Sequence, residues 1–400
     1  MEKNIEKWFF LRPGFDTFRL EPDKHRAFMF GHRDRQLRDV VLGSLEESCY
    51  SREGHKAVVF GDYGRGKTHQ CHNITYEVER RKLPLIPIYI KCAAWKAKES
   101  FQSLFKEMVT RLRSEEVRRV ATDYERRVQA GTAKNLADVI EFEEIAEVIS
   151  KALTVPNLEE VKKAMRWLGG EAKVPMSTVK TALQPELNDS REFGAVLRAM
   201  AHMFATVDGK ILLYLVDEAE RFQNITNTDA YWSWLAAVRE LTEILGVAIV
   251  FQVGAKNRND LPVILVQEEI IRRIGMPNYV ELNNPGQTEL RDFVDELLRT
   301  LILKGEVPDI HKHALIPEAL TSEVPTDLQK IVDDDAAKLA AYPFEPDALD
   351  GFVNELSSGG YANKPSEVLV RLQKYALRAM RHDSKLITDK IVQEVNSEGF

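Results

Sequence analysis

Cysteine is scarce in this sequence, and the few thiols present are not paired along the chain. The 400 residues contain three cysteines, Cys49, Cys71 and Cys92, with no C-x-x-C pair. An odd number of widely spaced cysteines argues against a disulfide framework and lacks the ligand spacing of a zinc knuckle. We therefore expect the protein in a reducing compartment.

Long apolar runs are missing as well. No stretch reaches the roughly 20 apolar residues that a helix needs to cross a bilayer. The amino-terminal sequence MEKNIEKWFF also lacks the layout of a signal peptide. These two absences predict a cytoplasmic protein with no membrane partner.

The chain carries no excess of positive charge. Lysine and arginine together number 55 against 62 aspartates and glutamates, which gives a formal net charge of −7. Any contact with nucleic acid must then come from local patches or from several subunits acting together. The net charge therefore neither excludes nor favours double-stranded DNA as a partner.

The most informative feature that is present is the octapeptide GDYGRGKT, which runs from Gly61 to Thr68 and satisfies the pattern G-x-x-x-x-G-K-[ST]. The apolar run AVVF before it predicts a buried strand, and residues from His69 to Lys82 predict a helix. Backbone N–H groups of such a loop and the helix N-terminus bind phosphate. The alternative is an ordinary strand-to-helix turn.

Each residue type in this segment has a chemical reason to be there. Lys67 would reach the β- and γ-phosphate oxygens, and Thr68 would ligate Mg²⁺. The three glycines allow the tight turn and the close approach of backbone to phosphate. We therefore predict ATP and Mg²⁺ as ligands, with these nucleotide-binding residues: Gly61, Asp62, Tyr63, Gly64, Arg65, Gly66, Lys67, Thr68 and His69.

A second apolar segment ends in carboxylates. The run ILLYLVDEAE, from Ile211 to Glu220, predicts a strand that carries Asp217 and Glu218 to its carboxyl end, where an open parallel sheet binds its ligands. Asp217 would hold Mg²⁺ through water, and Glu218 would polarise the attacking water as general base. The alternative is a solvated acidic end of a strand.

Strand-like and helical segments alternate from residue 57 onward. This alternation predicts a parallel sheet covered by helices on both faces, which is the α/β class. The five predicted strands are Ala57–Phe60, Leu85–Cys92, Ile211–Val216, Val247–Val253 and Asn278–Leu282.

The helical parts of the chain divide it into predicted domains. An N-terminal segment covers residues 1–50, and the P-loop core covers 51–284 with a helical insertion at about 96–205. An all-helical lid follows at 285–400. The insertion carries arginines interleaved with glutamates, which fit a solvated helix face or contacts to phosphates or to a partner's acids.

Together these residues resemble the AAA+ ATPases. The resemblance is carried by GDYGRGKT, by LYLVDE, by the FGHRDRQL segment before the first core helix and by RRIGMPNYVELNNPGQTEL. It covers about residues 30 to 380 and is strongest to the initiator-like branch, which contains origin-recognition, transposition-regulator and phage-defence ATPases. It implies a P-loop αβα domain followed by a helical lid.

The resemblance also implies roles for residues near the base and the reacting phosphate. Gly31, His32 and Arg33 occupy the motif that lies near the adenine in that branch. Asn257 matches the polar residue, sensor 1, that orients the attacking water. Gln252 is the alternative for this role.

Further roles involve a neighbouring subunit and the lid. Arg273, or alternatively Arg272, matches the arginine that reaches a neighbour's γ-phosphate. A competing interpretation of both is a basic helix C-terminus favoured by the macrodipole. Lys364, or alternatively Arg371, would act as sensor 2 in the lid.

The resemblance thus implies an ATP hydrolase that works as an ATP-dependent switch. We expect a homo-oligomer, either a ring or a filament, that regulates a DNA transaction in a mobile element, phage defence or replication. Double-stranded DNA and a further protein are its expected partners. The alternatives are a STAND-like signalling scaffold and a protein-remodelling ATPase.

Overall fold

The computed structural model describes most of the chain, and its contacts divide the chain into two compact units. We call them the helical unit, formed by Met1–Asp39, Asp62–Tyr76 and Leu282–Phe400, and the sheet unit, formed by Val40–Gly61 and Glu77–Glu281. The domain boundaries expected from the sequence stay a prediction. The structure describes residues 4–92, 101–171, 174, 176–177, 187, 189–225, 228–358 and 364–398.

Five strands form one parallel sheet, as the sequence predicts. The order across the sheet is β2-β3-β4-β1-β5. The pairs β2 with β3, β3 with β4 and β4 with β1 run in the same direction. The strands are β1 (Lys56–Gly61), β2 (Leu85–Lys91), β3 (Ile211–Asp217), β4 (Val247–Gly254) and β5 (Tyr279–Leu282).

The central strands are buried over their whole length. Every residue of β1 and of β3 is buried, and β4 is buried up to its last residue, Gly254. In sequence, strands that are covered on both faces are continuous apolar runs, whereas strands with one exposed face alternate between apolar and polar residues. This burial explains why AVVF and ILLYLV identified strands so clearly.

The strand order places β1 at a turning point of the sheet. From β1 the chain crosses to β2 at one edge, whereas β5 adds on the opposite side of β1. Open α/β sheets bind ligands outside the carboxyl ends of their strands, at the strand where the order reverses. The loop that follows Gly61 leaves the sheet from that strand.

Helices make up most of the remaining described chain. They are α1 (Ile5–Trp8), α2 (His32–Ser51), α3 (Lys67–Arg81), α4 (Gln102–Thr110), α5 (Ser114–Gln129), α6 (Leu136–Ile140), α7 (Glu143–Ala152), α8 (Leu158–Leu168), α9 (Ser190–Asp208), α10 (Thr228–Glu243), α11 (Glu268–Ile274), α12 (Gln287–Leu301), α13 (Asp309–Lys312), α14 (Thr326–Ile331), α15 (Ala336–Ala341), α16 (Pro346–Ser358), α17 (Pro365–Arg381) and α18 (Asp389–Ser397).

The insertion between β2 and β3 is helical, as predicted, and packs into the core of the sheet unit. It comprises α4 to α9, whose inward faces share one apolar core with β1, β3 and β4. Two arginines of α5 contact the C-terminal end of α9. Arg119 pairs with Asp208, and Arg127 donates to the carbonyl oxygens of Thr206 and Val207. Arg127 thus bonds carbonyl oxygens that the helix itself leaves without a partner, and Arg119 neutralises the carboxylate beside them.

In the helical unit, the N-terminal segment shares a core with the C-terminal helices. Phe9 and Phe18 are fully buried in the cluster that contains Leu298, Tyr342 and Tyr375. A short antiparallel bridge joins Leu11 to Ile302. The C-terminal part of the chain is helical, as the fold class predicts, and its core is completed by the first 30 residues.

Arg12 is the most deeply buried cation of this unit. Its Nη1 donates to the carbonyl oxygens of Ala319 at 2.9 Å and Thr321 at 2.8 Å, and its Nη2 donates to that of Gly305. Burial lowers the pKa of Arg12 to about 10. The guanidinium therefore ties the N-terminal segment to the chain between α12 and α14.

None of the helices in the described part of the chain is long and apolar enough to cross a bilayer.

Candidate nucleotide-binding site

The loop between β1 and α3 has the conformation that its glycines permit. Gly64 has φ +81° and Gly66 has φ +84°, both in the left-handed region that side chains disfavour. The 15-residue helix α3 begins directly afterwards, at Lys67. Successive backbone N–H groups in such a turn form an anion-binding concavity, to which the helix N-terminus adds partial positive charge.

Lys67 lies folded back over this loop. Its Nζ donates to the carbonyl oxygen of Asp62 at 2.9 Å and lies 5.6 Å from the centroid of the Tyr63 ring. The ammonium group thus lies beside the glycine turn. A phosphate oxygen is a stronger acceptor for an ammonium group than a carbonyl oxygen is, since the bond is charge-assisted.

The first turn of α17 touches the same loop. Lys364 pairs with the Asp62 carboxylate at 2.8 Å, and both side chains are largely buried. The Ser366 backbone N–H donates to the carbonyl oxygen of Gly64 at 3.2 Å. A Cβ added at Gly64 would come within 2.1 Å of the Ser366 hydroxyl oxygen, which would have to move, and the φ of +81° already favours glycine here.

Lys364 and Arg371, the two residues considered for sensor 2, lie in different surroundings. Lys364 contacts the loop, whereas Arg371 is paired with Glu355 at 2.7 Å and with Glu367 at 3.3 Å. Residues 359–363, which precede Lys364, lie outside the described part of the chain. The geometry therefore favours Lys364 for a role beside phosphate.

Arg65 turns away from the loop into the helical unit. Its Nη2 pairs with Asp34 at 2.9 Å, and its Nε points at the carbonyl oxygen of Leu282 at 3.5 Å. Burial raises the pKa of Asp34, and the charge of Arg65 opposes that shift. The pair is a buried link between the loop and the first turn of α2.

A cavity of about 290 Å³ lies beside this pair. Its walls combine charged groups with apolar surface from α12. The residues Gly31, His32 and Arg33, which the resemblance assigns to the base, all line it. The full lining is Gly31, His32, Arg33, Asp34, Gln36, Arg65, Pro285, Glu289, Leu290, Asp292, Phe293 and Pro365.

The backbone at Gly31 is fixed by a polar network that the sequence analysis did not find. Glu296 accepts the Gly31 N–H at 3.1 Å, pairs with Arg35 and is bonded to the His311 ring at 2.7 Å. The hydrogen bonds of this network hold the pKa of Glu296 below its ordinary value although burial opposes them. Glu296 is about 260 residues from Gly31 in sequence, so no local pattern could reveal it.

His69 is buried at the start of α3. Its Nε2 is bonded to the carbonyl oxygen of Phe28, so the ring is directed toward the N-terminal segment. Burial lowers the pKa of His69, which keeps the ring neutral near pH 7. Its backbone stays at the helix N-terminus, where the sequence analysis assigned it to the nucleotide.

Asp217 and Glu218 stand at the carboxyl end of β3. Asp217 is buried, and its two oxygens accept the Tyr89 hydroxyl and the Glu218 backbone N–H, each at 2.9 Å. Glu218 has φ +57°, and its carboxylate pairs with Lys91 at 3.0 Å and Arg221 at 3.3 Å. A left-handed conformation in a residue other than glycine is uncommon and is concentrated at functional sites.

The two candidates for sensor 1 differ in burial. Gln252 is fully buried within β4, opposite Val59 of β1. Asn257 is exposed in the loop after β4, and its side chain accepts the Asn259 backbone N–H at 2.9 Å. Only Asn257 is accessible without rearrangement of the sheet.

The two candidate arginine fingers on α11 are also held differently. Arg273 makes two hydrogen bonds to Glu243, at 2.9 and 2.6 Å, and its side chain is 24% exposed. Arg272 pairs with Glu268 one turn earlier and is 75% exposed. Arg273 is therefore presented in a fixed orientation, whereas Arg272 extends into solvent.

Comparison with known proteins identifies a family model that matches part of the chain. Residues 97–246 match the model of the BREX system ATP-binding protein BrxC/D family, which is less than half of the chain. The matched segment contains the helical insertion and the acidic end of β3. None of the curated proteins compared with this chain is significantly similar to it.

Solved structures extend the similarity to the fold of the whole chain. The ORC2 protein of Aeropyrum pernix, solved as ADPNP and ADP complexes, superposes with a TM-score of 0.50 at 12% identity, covering 97% of this chain and 72% of that one. The chain has an initiator-like AAA+ fold. This AAA+ fold accounts for the strand order, the loop after β1 and the helical C-terminal part.

Two further initiator structures superpose less closely. Cdc6p of Pyrobaculum aerophilum gives a TM-score of 0.48 at 11% identity, covering 98% of this chain and 70% of that one. The ORC1 protein of A. pernix in complex with DNA gives 0.46 at 12% identity, covering 92% and 66%. The chain thus spans about two thirds of the length of such initiators.

Proposed function

We propose that this chain is an ATP hydrolase whose binding of ATP drives self-assembly, and that the assembly regulates a DNA transaction in phage defence. The observation that carries the proposal is a glycine loop of phosphate-binding conformation after β1 in a sheet whose β3 ends in Asp217 and Glu218. The match to an ATP-binding BREX family supports it.

The loop fits the phosphates of a nucleotide. The left-handed Gly64 and Gly66 and the N-terminus of α3 present backbone donors, and Lys67 supplies a cation whose Nζ lies 2.9 Å from the Asp62 carbonyl oxygen. A Cβ at Gly66 would meet no atom within 4 Å, so the space beside this backbone is open. We assign Lys67 to the β- and γ-phosphates and Thr68 to Mg²⁺.

The carboxylates of β3 suit hydrolysis. Asp217 would hold Mg²⁺, whose charge, when bound, neutralises that of the transferred phosphoryl group. Glu218 would accept a proton from the attacking water, and the ion pairs with Lys91 and Arg221 orient its carboxylate. Asn257 is assigned to the orientation of that water.

A neighbouring subunit would complete the reaction. Arg273 is assigned to the γ-phosphate of the adjoining copy, where its charge stabilises the transition state. Because this contribution crosses a subunit boundary, hydrolysis depends on assembly and its completion weakens the interface. A ring or a filament satisfies this requirement, and DNA and a further protein are its proposed partners.

The test is the molar mass of the Glu218→Gln protein, measured by light scattering with no nucleotide, with ADP–Mg²⁺ and with ATP–Mg²⁺, each with and without double-stranded DNA. We expect a defined oligomer only with ATP, and more of it with DNA. Hydrolysis should fall by about 100-fold or more, since general-base catalysis contributes that much, while ATP binding is retained.

Three control variants make the result decisive. Lys67→Ala should abolish ATP binding, and the double variant Lys67→Ala/Glu218→Gln should not assemble. Lys82→Ala, which removes an exposed lysine just after α3, should change neither property. Equal nucleotide affinity in Lys67→Ala and wild type would overturn the assignment of the loop, and an unchanged mass in all conditions would overturn the switch.

A further inference from the structure

A glutamate beyond the carboxyl end of β3 bonds the backbone at the end of β4, in the sheet unit. Glu220 lies in the short helical turn Ala219–Asn224, which begins directly after Glu218. Its Oε2 accepts the backbone N–H of Gly254, the last residue of β4, at 2.7 Å. This distance is at the short end of the usual range for an N–H donor. The helical turn is therefore attached to β4 by a side chain.

The Glu220 carboxylate takes the place of a strand carbonyl at this point. β3 pairs with β4 as far as Val216 and Phe251. The backbone then turns at Glu218, which has φ +57°, and enters the helical turn. A backbone N–H at the end of β4 still needs an acceptor. Glu220 supplies that acceptor from the segment that replaces the strand.

The same helical turn also contacts the far end of the loop after β4, which comprises residues 255–260. Gln223 Nε2 donates to the carbonyl oxygen of Asp260 at 2.5 Å. Asn257 lies between the two bonded ends, and its side chain accepts the Asn259 N–H within the loop. The loop is thus attached to the helical turn at both ends, with Asn257 between the attachments.

Glu218 and Asn257, the two residues assigned above to the attacking water, lie on the two segments that these bonds join. Glu218 directly precedes the helical turn, and Asn257 lies in the loop. Efficient attack needs the base and the orienting group in a fixed arrangement, and a misplacement of about 1 Å can cost about 100-fold in rate. The bond between Glu220 and Gly254 is the shortest route between the segments that carry both groups.

We propose that Glu220 is a positioning residue for ATP hydrolysis, which fixes the loop after β4, and with it Asn257, relative to Glu218. It acts through the Gly254 backbone and not by contact with the nucleotide. This inference rests on the proposed function, because it assumes that Glu218 and Asn257 act on the attacking water.

Two other roles for Glu220 lead to different expectations. If Glu220 were itself the general base, Glu220→Gln would abolish hydrolysis. A positioning residue can be replaced by glutamine, because the amide oxygen still accepts the Gly254 N–H. If Glu220 only stabilised the fold, Glu220→Ala would lower the urea midpoint of unfolding without a specific loss of kcat.

The experiment measures kcat and KM for ATP, with Mg²⁺, in the wild type, Glu220→Ala and Glu220→Gln. We expect kcat of Glu220→Ala to fall by about 10- to 100-fold with KM unchanged, because orientation is lost and binding is not. Glu220→Gln should retain most of the wild-type kcat. Glu144→Ala, at an exposed glutamate of α7, is the control and should change neither constant.

A double variant tests whether Glu220 acts through the loop. Once Asn257→Ala has removed the orienting group, the further change Glu220→Ala should lower kcat by less than about twofold, whereas independent effects would multiply. Hydrogen–deuterium exchange without nucleotide measures the attachment itself. Residues 252–260 should exchange faster in Glu220→Ala than in the wild type, and at the wild-type rate in Glu220→Gln.

Four results would each overturn the inference: an unchanged kcat in Glu220→Ala, loss of hydrolysis in Glu220→Gln, multiplied losses in the double variant, or unchanged exchange of residues 252–260 in Glu220→Ala. A wild type that does not hydrolyse ATP would instead overturn the proposed function. The exchange measurement, which needs no nucleotide, would then still test the bond from Gly254 to Glu220.

Discussion

Lys304 is a cation buried in the helical unit with only neutral hydrogen-bond partners among the described residues. Its Nζ donates to the carbonyl oxygens of Ala340 and of Tyr342, the latter at 2.9 Å. Burial lowers the pKa of Lys304 to about 7. The folded protein therefore binds this proton less tightly than the unfolded chain does.

The depressed pKa of Lys304 fixes the direction of a pH effect. Between about pH 7 and the ordinary lysine value of 10.5, the unfolded state holds more protons, so the wild type gains stability as pH rises. Relative to Lys304→Met, we expect this gain to approach about 1.4 kcal/mol per pH unit.

Urea denaturation of the wild type and Lys304→Met across this range measures the difference. Lys330→Met, at an exposed lysine paired with Asp327, serves as the control and should show no such trend. A stability difference between wild type and Lys304→Met that stays constant with pH would contradict the prediction.

The individual site residues differ in how far sequence alone could locate them. The GDYGRGKT pattern predicts the left-handed glycines and the start of α3, because both depend on neighbours in sequence. The pairing of Arg65 with Asp34 and of Lys364 with Asp62 depends on contacts between distant segments. Those contacts determine where Arg65 points, and no local periodicity encodes them.

The contact of α17 with the loop predicts a coupling that depends on nucleotide. Lys364 cannot fully satisfy both the Asp62 carboxylate and a phosphate group. In a double-mutant cycle with Asp62→Asn and Lys364→Met, we expect a coupling of about 1–3 kcal/mol without nucleotide, because the pair is largely buried.

With an unhydrolysed ATP analogue bound, we expect this coupling to fall as Lys364 turns to phosphate. Thermal unfolding of the four proteins with and without the analogue measures both values. The same coupling in both conditions would show that Lys364 serves the loop and not the nucleotide.

The buried hydrogen bonds of Arg12 should contribute strongly to the free energy of unfolding, because they attach the N-terminal segment to the chain between α12 and α14. Its removal leaves three carbonyl oxygens of the chain between α12 and α14 without their donor. We expect Arg12→Leu to destabilise the protein by about 3–5 kcal/mol, as for other broken buried networks. Arg19→Leu, at an exposed position a few residues later, should cost less than about 0.5 kcal/mol. Chemical denaturation compares the two, and similar losses would contradict the role of Arg12.

The apolar pattern of one further segment predicts a helix that the structure divides in two. The segment Val263–Arg273 predicts a single helix, whereas the structure has a short turn at Val263–Val266, extended backbone at Gln267 and then α11. Ile264 and Leu265 are buried in the core of the sheet unit. Tertiary packing of these side chains fixes the turn, and it outweighs the local helical pattern.

Assembly through composite sites predicts that two inactive proteins can rescue one another. Lys67→Ala lacks the loop cation but retains Arg273, and Arg273→Ala has the opposite defect. In an equal mixture, about a quarter of the subunit boundaries join an intact loop to an intact arginine. We expect ATPase activity of that fraction of wild type in the mixture and almost none in either variant alone.

The matched control for this mixture uses Arg272→Ala, at the neighbouring exposed arginine. This variant should remain active by itself if Arg273 is the residue that acts across the boundary. A mixture no more active than its components would contradict action in trans, and full inactivation by Arg272→Ala alone would transfer the role to that residue.

The α/β class, the five parallel strands, the insertion and the helical C-terminal part follow from alternation of patterns along the chain. The patterns do not predict that Phe9, Phe15 and Phe18 complete the core formed by the helices after residue 285. Aromatic side chains in an N-terminal segment indicate that the segment is buried. They do not indicate which other segments of the chain it packs against. The packing partners are determined by contacts between segments that are distant in sequence.

The bridge between Leu11 and Ile302 has a consequence for synthesis of the protein. The aromatic segment leaves the ribosome before its packing partners, which are translated about 300 residues later, a delay of roughly 15 to 60 s at ordinary elongation rates. Throughout that interval Phe9, Phe15 and Phe18 lack the C-terminal helices that bury them in the folded protein. The nascent chain should therefore be a substrate for chaperones that bind exposed aromatic segments, and its helical unit should be the last part to fold.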